Sequence, residues 1–211
     1  MNQKQKILRI VEENFFQRGI IHRITIDEIS SKLGMSKKTI YKHFPSKEAL
    51  ISEMIKNFTS KIKNQIESVL EKNDSAVVKI KNFILIIGAI ASKVNDEWLF
   101  TVKNLYPDIW KYIEDFRNKM IIKNISKIIE QGKKEGLVVD IPTQIIINVF
   151  TGAVRNVVTP DFILNNNFSL QEAMKYTLTI FINGILTDKG KKSYKNTSVE
   201  NELEDNFSNI I

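Results

Sequence analysis

The stretch TIDEISSKLGMSKKTIYKHFPSKEAL, residues 25–50, predicts two short helices joined by a tight turn and followed by a longer helix. Thr25 and Glu28 have the spacing at which each side chain can bind the other's backbone N–H group and so begin a helix. Gly34 can adopt the left-handed conformation that ends this helix, and Ser36 can cap the next one. Two short helices around a glycine-containing turn are typical of the helix-turn-helix unit.

The second helix of such a unit enters the major groove of DNA and presents its first side chains to the base edges. Here that helix begins with Lys37, Lys38 and Thr39. Lysine can donate to the O6 and N7 atoms of guanine, and the threonine methyl group can contact the methyl group of thymine. Lys47 falls in the first turn of the following helix, where free backbone N–H groups favour a phosphate. The pattern therefore predicts a protein that binds double-stranded DNA.

The remaining positions of the second helix divide between its inner and outer faces. Ile40 and Phe44 are expected to face the small core of the unit, whereas Tyr41, Lys42 and His43 face the groove walls and phosphates. Two simpler roles stay open at this point. The Tyr41 ring can cover the small core, and His43 can be a surface residue without a function.

Basic residues are concentrated in the same part of the chain. Residues 1–50 carry ten Lys or Arg and five Asp or Glu, a net charge of +5 out of the +7 of the whole chain. Such a concentration favours a surface that binds a polyanion. On charge alone, a solvated basic face in a lysine-rich protein is an equal alternative.

Several classes of protein are disfavoured by composition. The 211 residues include no cysteine, which excludes disulfides, thiolate zinc sites and cysteine nucleophiles. No acidic cluster is spaced with the two histidines, His22 and His43, so we predict no metal site and no cofactor. No Ser–His–Asp set or phosphate loop is visible, so we do not expect an enzyme.

No membrane partner is expected either. The longest apolar run, residues 83–91, is much shorter than the roughly 20 residues that a membrane span needs. No signal-peptide core follows the N-terminus. We therefore expect a soluble, cytoplasmic protein.

Helical spacing of apolar residues, with only 8 Gly and 4 Pro, predicts an all-α fold of about nine helices. The first helix should end near Gly19, where a short basic link, residues 20–24, begins. The predicted helices span residues 7–19, 25–34, 37–44, 47–70, 76–95, 96–105, 107–136, 142–159 and 169–187. Residues 189–211 are polar and charged and are expected to form a mobile tail.

The last two predicted helices, 142–159 and 169–187, carry apolar residues around most of their circumference. A helix that is apolar on nearly all sides must be buried on nearly all sides. A second chain would cover the outer face, and Gly152, Ala153 and Gly184 would let the helices approach closely. In the alternative, both helices lie at the centre of a monomer.

Residues 5–55 carry a longer pattern than a helix-turn-helix alone. It comprises Gly19, Thr25, Ile29, Leu33–Ser36, Thr39–Tyr41, His43–Phe44 and Pro45–Leu50. With these spacings the chain resembles the tetracycline-repressor (TetR-type) family of bacterial transcriptional regulators. Beyond residue 55 the chain resembles the family only in its general architecture. The stretch Gln131–Gly136, before a helix that begins with proline, is one further similarity.

The resemblance implies an N-terminal three-helix DNA-binding domain, residues 1–46, joined by a long fourth helix to a helical ligand-binding and dimerisation domain, residues 47–188. It implies a homodimeric repressor that a small-molecule effector releases from an inverted-repeat operator. Carried over by position, Lys37, Lys38 and Thr39 would read bases. Four other residues would mainly hold phosphates: Thr25, Tyr41, His43 and Lys47. The alternative is a nucleoid-associated or protein-interaction factor that uses the same fold without an effector.

An aromatic cluster lies where the family places its effector pocket, around the sixth and seventh helices. The cluster comprises Trp98, Phe100, Tyr106, Trp110, Tyr112 and Phe116. Aromatic residues at helical spacing more often lie in the core than in a pocket, so one or two of these six are expected to line a cavity. The candidate pocket residues are Phe83, Ile87, Trp98, Tyr106, Trp110, Phe116, Met120 and Asn148. Asn148 could orient a ligand or form hydrogen bonds at a dimer interface. The scarcity of charge favours a lipophilic or aromatic effector over a sugar phosphate.

Overall fold

A computed structural model describes residues 2–18, 25–94 and 96–197. This part of the chain forms twelve α-helices, and its single element of β pairing is an isolated bridge between Val138 and Leu186. The predicted all-α fold is confirmed. The predicted end of the first helix at Gly19 and the basic link 20–24 lie outside the described residues.

The helices follow the predicted order closely. They are α1 (Gln3–Arg18), α2 (Ile26–Leu33), α3 (Lys37–His43), α4 (Lys47–Glu71), α5 (Ala76–Lys93), α6 (Asp96–Leu105), α7 (Pro107–Met120), α8 (Ser126–Lys134), α9 (Thr143–Val157), α10 (Pro160–Asn166), α11 (Leu170–Ile185) and α12 (Asp188–Asn196). A π-helical turn, Ile121–Ile125, joins α7 to α8, so the single helix predicted over residues 107–136 is continuous but locally widened.

Local capping explains where most of these helices begin. Seven helices start at a Ser or Thr whose hydroxyl oxygen accepts a hydrogen bond from the backbone N–H three residues later. These residues are Thr25, Ser36, Ser46, Ser75, Thr159, Ser169 and Thr187. At Thr25 and at Ser169 the glutamate three residues later completes a capping box. The caps that the sequence predicts at residues 25, 36, 46 and 169 are confirmed.

The first three helices form a small head with its own core. Ile7 and Val11 on α1 are buried with Ile29 on α2 and with Ile40 and Phe44 in and after α3. The inward orientation predicted for Ile40 and Phe44 is therefore confirmed.

The long helix α4 connects this head to the rest of the protein, called the body below, which comprises α5 to α12. Ion pairs at two positions tie α4 to α1: Lys4 with Glu53 at 2.8 Å, and Glu12 with Lys61, in the middle of α4, at 2.7 Å. Further along, Ile66 of α4 is buried in a core that runs without a break into the body. One rigid helix thus takes part in both the head and the body.

Two helices of the body were not foreseen as such. Thr159 caps α10, and Pro160 occupies its first turn. The expectation of a mobile tail from residue 189 is wrong for residues 189–196, which belong to α12. Tyr194 of this helix is 2% exposed, and a Cβ at Gly190 would lie 2.1 Å from the carbonyl oxygen of Leu137. Gly190 and Tyr194 are the buried residues of α12, and most of its other residues are polar or charged. The sequence therefore shows too little apolar periodicity to predict this helix. Residues 198–211 lie outside the described residues.

The helices α9 and α11 pack on each other, with the ring centroids of Phe150 and Phe181 4.1 Å apart. No described residue of the chain covers their opposite faces. Val149 is 65% exposed and Ile180 is 75% exposed, and Ile145 and Tyr176 are exposed as well. The alternative in which both helices lie at the centre of a monomer is therefore wrong.

Within the described ranges, no helix is long and apolar enough to cross a membrane. In the same part of the chain, no group of three His, Asp or Glu side chains is placed to hold a metal ion.

Candidate DNA-binding surface and body cavity

The turn between α2 and α3 is fixed by backbone geometry. Gly34 adopts φ +60°, a conformation that residues with a Cβ atom rarely adopt. The N–H of Met35 then reaches back to the carbonyl oxygen of Ser30 at 3.0 Å and closes the end of α2. This places the start of α3 directly after α2, as a helix-turn-helix requires.

The first turn of α3 presents the residues predicted to read bases. Ser36 Oγ accepts a hydrogen bond from the N–H of Thr39 at 3.1 Å, and the two hydroxyl oxygens lie 2.9 Å apart. Lys37 and Lys38 are exposed, and Lys38 lies on the face opposite to the buried Ile40. The base-reading candidates therefore share one accessible end of α3, and the cap orients Thr39 there.

Lys37 carries an ion pair within the head. Its Nζ lies 2.5 Å from Oδ1 of Asp27 on α2, and both side chains are more than half exposed. The hydrogen bond with Asp27 is the main cause that raises the pKa of Lys37, and the charge of Asp27 adds to it. The first lysine of α3 is thus held by the preceding helix.

The second half of α3 offers a further polar face. Tyr41 is 46% exposed, so its ring is not sealed within the small core, and Lys42 is exposed. His43 is half-buried, with Nε2 3.3 Å from Oε1 of Gln3 on α1. A phosphate bound by His43 would therefore share this nitrogen with Gln3 or use Nδ1.

The N-terminal ends of α2 and α4 lie near one another at the edge of this surface. Thr25 Oγ1 accepts from the N–H of Glu28 at 3.1 Å, and Glu28 Oε2 accepts from the N–H of Thr25 at 3.2 Å. Burial lowers the pKa of Lys47, which begins α4, and the negative charge of Glu28 raises it in part. Thr25 and Lys47 thus lie at two helix N-termini, where backbone N–H groups favour anions.

A largely apolar cavity of about 180 Å³ lies between α4 and the body helices α5, α6, α7, α9 and α11. Five of the predicted pocket residues line it: Phe83, Ile87, Trp98, Phe116 and Met120. The helix α4 contributes Ile55, Phe58 and Thr59 to the wall. These residues lie between Glu53 and Lys61, the two α4 residues that are ion-paired to α1 of the head.

Three predicted pocket residues lie elsewhere. Tyr106 stands at the start of α7, where burial raises its pKa and Glu48 of α4 raises it further, so it lies near the junction with the head. Trp110 is buried in the core away from the cavity wall. Asn148 is exposed and donates to the carbonyl oxygen of Gln144 at 2.8 Å. It lies about 200° around α9 from Phe150, which does line the cavity.

Two polar residues of the cavity wall were missed from sequence. Thr59 Oγ1 lies 2.9 Å from the hydroxyl oxygen of Tyr112 and so ties α4 to α7. Arg117 donates from Nη1 to the carbonyl oxygen of Val158 at 3.2 Å. Its Nε is buried and has no hydrogen-bond acceptor among the described residues. In the sequence EDFRNK it looks like one more surface charge of an amphipathic helix.

Comparison with known proteins supports the resemblance. Residues 8–54 match the family model described as bacterial regulatory proteins, tetR family. An uncharacterised HTH-type transcriptional regulator of Bacillus subtilis, YvaF, is 24% identical over 86% of this chain and 96% of its own length.

A solved transcriptional regulator from Saccharomonospora viridis, crystallised in complex with choline, shares the fold. Its TM-score is 0.65 at 19% identity, over 87% of this chain and 97% of that one. The nucleoid occlusion factor SlmA of Photorhabdus laumondii is 23% identical over a shorter stretch, 44% of this chain and 46% of that protein.

Proposed function

We propose that this chain is a TetR-type transcriptional regulator and that it works as a homodimeric repressor, released from its operator by a small molecule. The observation that carries the proposal is the helix α4, which joins a head built for DNA to a body with an apolar cavity. Its site of action would be the cytoplasm, where bacterial DNA lies.

The head would bind the major groove through α3. Lys37, Lys38 and Thr39 would contact base edges, because they occupy the accessible first turn of that helix. The phosphate backbone would be held by the other polar residues of the same surface. These are Thr25, Tyr41, Lys42, His43 and Lys47.

A second copy of this chain would cover the apolar outer faces of α9 and α11. Val149 and Ile180 are the most exposed large apolar side chains of these two helices. A Cβ added at Gly152 or at Gly184 would meet no atom of the described residues within 4 Å, so the backbone there is open to close approach. Packing of this kind is symmetric, because each copy offers the same surface. The two heads would then read an inverted repeat about one DNA turn apart.

An effector in the cavity would act by preferring one spacing of the two heads. Phe58 and Thr59 of α4 line the cavity, and the same helix carries Lys47 at its other end. A ligand that binds better when α4 is displaced would favour a spacing that does not fit the operator. It can shift this equilibrium only by its difference in affinity for the two states.

A gel-shift assay with the DNA upstream of the protein's own gene tests the proposal. At low salt, the folded dimer should shift this DNA, and a cell extract or compound library should contain a molecule that reverses the shift. A folded dimer that gives no shift at low salt would contradict the proposal.

The partial match to SlmA, a nucleoid occlusion factor, favours a second candidate function. In that case the same fold would bind many dispersed sites and work through protein contacts, without an effector. Footprinting separates the two: one sharp palindrome supports the repressor, whereas many dispersed protected sites support the second candidate.

A further inference from the structure

We propose that the body cavity takes a small carboxylate, a monoanion with one compact apolar group, whose carboxylate binds Arg117. This inference rests on the proposed function, because it names the chemical class of the effector. The apolar walls of the cavity alone favour any lipophilic compound, whereas Arg117 restricts the ligand to one that carries a carboxylate.

The charge of the cavity wall is the first observation. Among the described residues that line the cavity, Arg117 is the one with a charged side chain, and nearly all the others are apolar. Burial lowers the pKa of Arg117, and the nearby charge of Arg155 lowers it as well. Glu114 opposes this effect, but its Oε1 lies 3.9 Å from Nη2, which is too far for a hydrogen bond. The guanidinium is thus only partly compensated by the chain.

The hydrogen bonding of Arg117 is the second observation. One of its donors, Nη1, is used by the carbonyl oxygen of Val158, whereas the buried Nε has no acceptor within the described part of the chain. A buried donor without an acceptor is costly, and a guanidinium binds a carboxylate through two parallel hydrogen bonds. A carboxylate placed in the cavity beside Arg117 would supply the missing negative charge. Because Nε has almost no accessible surface, the Arg117 side chain would have to turn towards the ligand for Nε to donate to it.

The size of the cavity limits the apolar group that the ligand can carry. An engineered cavity of about 150 Å³ in another protein, lined by Leu, Ile and Phe, binds benzene. The cavity here is about 180 Å³ and is lined by the same kinds of side chain. It therefore suits one aromatic ring or a short alkyl chain together with a carboxylate. A sugar phosphate would leave several polar groups unpaired against apolar walls.

The position of Arg117 also connects the ligand to the head. Arg117 and Tyr112 lie on the same helix, α7, and Tyr112 is hydrogen-bonded to Thr59 of α4. A ligand seated beside Arg117 would therefore press on the contact between α7 and α4. Movement of α4 at this point would be passed to Lys47 and the head, because α4 is one continuous helix.

Calorimetric titration of the full-length protein without DNA tests the ligand class. The probes are benzoate and hexanoate, the neutral benzyl alcohol, and choline as a small cation. We expect both carboxylates to bind, benzyl alcohol to bind at least about tenfold more weakly, and choline to show no binding.

Three variants assign the preference to Arg117. In Arg117→Met the preference for benzoate over benzyl alcohol should disappear, whereas Arg117→Lys should retain part of it because the charge remains. Arg155→Met is the matched control, since Arg155 is exposed and outside the cavity wall, and the preference should stay within about threefold of wild type. Any of three results would overturn the proposal. The wild type could bind benzoate and benzyl alcohol equally well, it could bind neither carboxylate, or Arg117→Met could retain the preference for benzoate.

The same probes, added to the protein–DNA complex, separate this inference from the proposed function. Carboxylates that bind at Arg117 without releasing DNA would support the site and contradict the effector-released repressor. Release of DNA by neutral or cationic compounds alone would support the repressor and contradict the ligand class.

Discussion

Asp27 on α2 holds Lys37, the first residue of α3, with 2.5 Å between the carboxylate Oδ1 and Nζ. The pair positions a side chain that would otherwise rotate freely in solvent. It also places a negative charge beside the surface proposed to meet DNA. Binding of Lys37 to a base therefore competes with Asp27, which would penalise DNA that does not offer a strong acceptor to this lysine.

The substitution Asp27→Asn should raise the affinity for random-sequence DNA by about three- to tenfold at low salt, because it removes a repulsive charge and frees Lys37. The affinity for the operator should rise less, so that selectivity falls. Fluorescence anisotropy with both DNAs measures this. Glu71→Gln, an exposed acid at the far end of α4, is the control and should change neither affinity. A loss of affinity for random DNA in Asp27→Asn would refute the competition.

Lys47→Ala should weaken binding to all DNA sequences to a similar extent. Lys47 is proposed to hold a phosphate at the start of α4, and each phosphate contact contributes about one unit to the slope of log affinity against log salt. The slope should therefore fall by about one unit. Lys63→Ala, on an exposed face of the same helix but about 24 Å along it from Lys47, should leave the slope unchanged. An unchanged slope in Lys47→Ala would count against the phosphate contact.

The double substitution Val149→Glu and Ile180→Glu should yield a folded monomer. Both side chains are largely exposed in the single chain, so the change costs little there, whereas in a dimer it would bury unpaired charges. Light scattering should give the 24.4 kDa of one chain in place of twice that mass. Operator affinity should fall at least about tenfold, since one head cannot read both half-sites.

Leu105→Glu is the matched control for the dimer, because Leu105 is also exposed but precedes Tyr106 near the junction with the head. This variant should keep the mass of the dimer. A double variant that remains dimeric would show that the partner chain sits elsewhere.

Tyr194 on α12 should make stability depend on pH in the alkaline range. Burial raises the pKa of Tyr194 to about 12, from an ordinary value of 10. Between these two values the unfolded chain has released the proton and the folded chain retains it. The free energy of unfolding should therefore decrease as pH rises through this window, and Tyr194 should not affect it at lower pH.

Tyr194→Phe should remove that contribution, because phenylalanine has no proton to release. The Tyr194 hydroxyl group has no hydrogen-bond partner in the described part of the chain. The free energy of unfolding of the variant should therefore be close to that of wild type at neutral pH. Denaturant titrations between pH 7 and 12 measure the difference between the two proteins. In the control Tyr176→Phe, which alters an exposed tyrosine, the alkaline decline of wild type should persist. A parallel decline in Tyr194→Phe would contradict this role.

Local chemistry explains which features could be predicted from sequence. The caps at Thr25, Ser36 and Ser46 depend on hydrogen bonds between residues three apart, so the sequence alone indicates them. The inward face of α3 follows from helical periodicity in the same way. The order and approximate bounds of the main helices rest on these two kinds of pattern.

Features that depend on tertiary packing could not be read in this way. The helix α12 is anchored by Gly190 against Leu137, a contact between distant parts of the chain. Arg117 differs from a surface arginine only because α9 and α11 close over the same cavity. The placement of Asn148 away from that cavity depends on which face of α9 meets the core.

Selection from a random pool of duplex DNA by the full-length protein tests the central claim most directly. The account predicts a single enriched inverted repeat with half-sites about one helical turn apart, and a changed base preference in Lys38→Ala at one position of each half-site. Recovery of no shared motif, or of a lone half-site without its inverted copy, would contradict a two-headed regulator that reads DNA through α3.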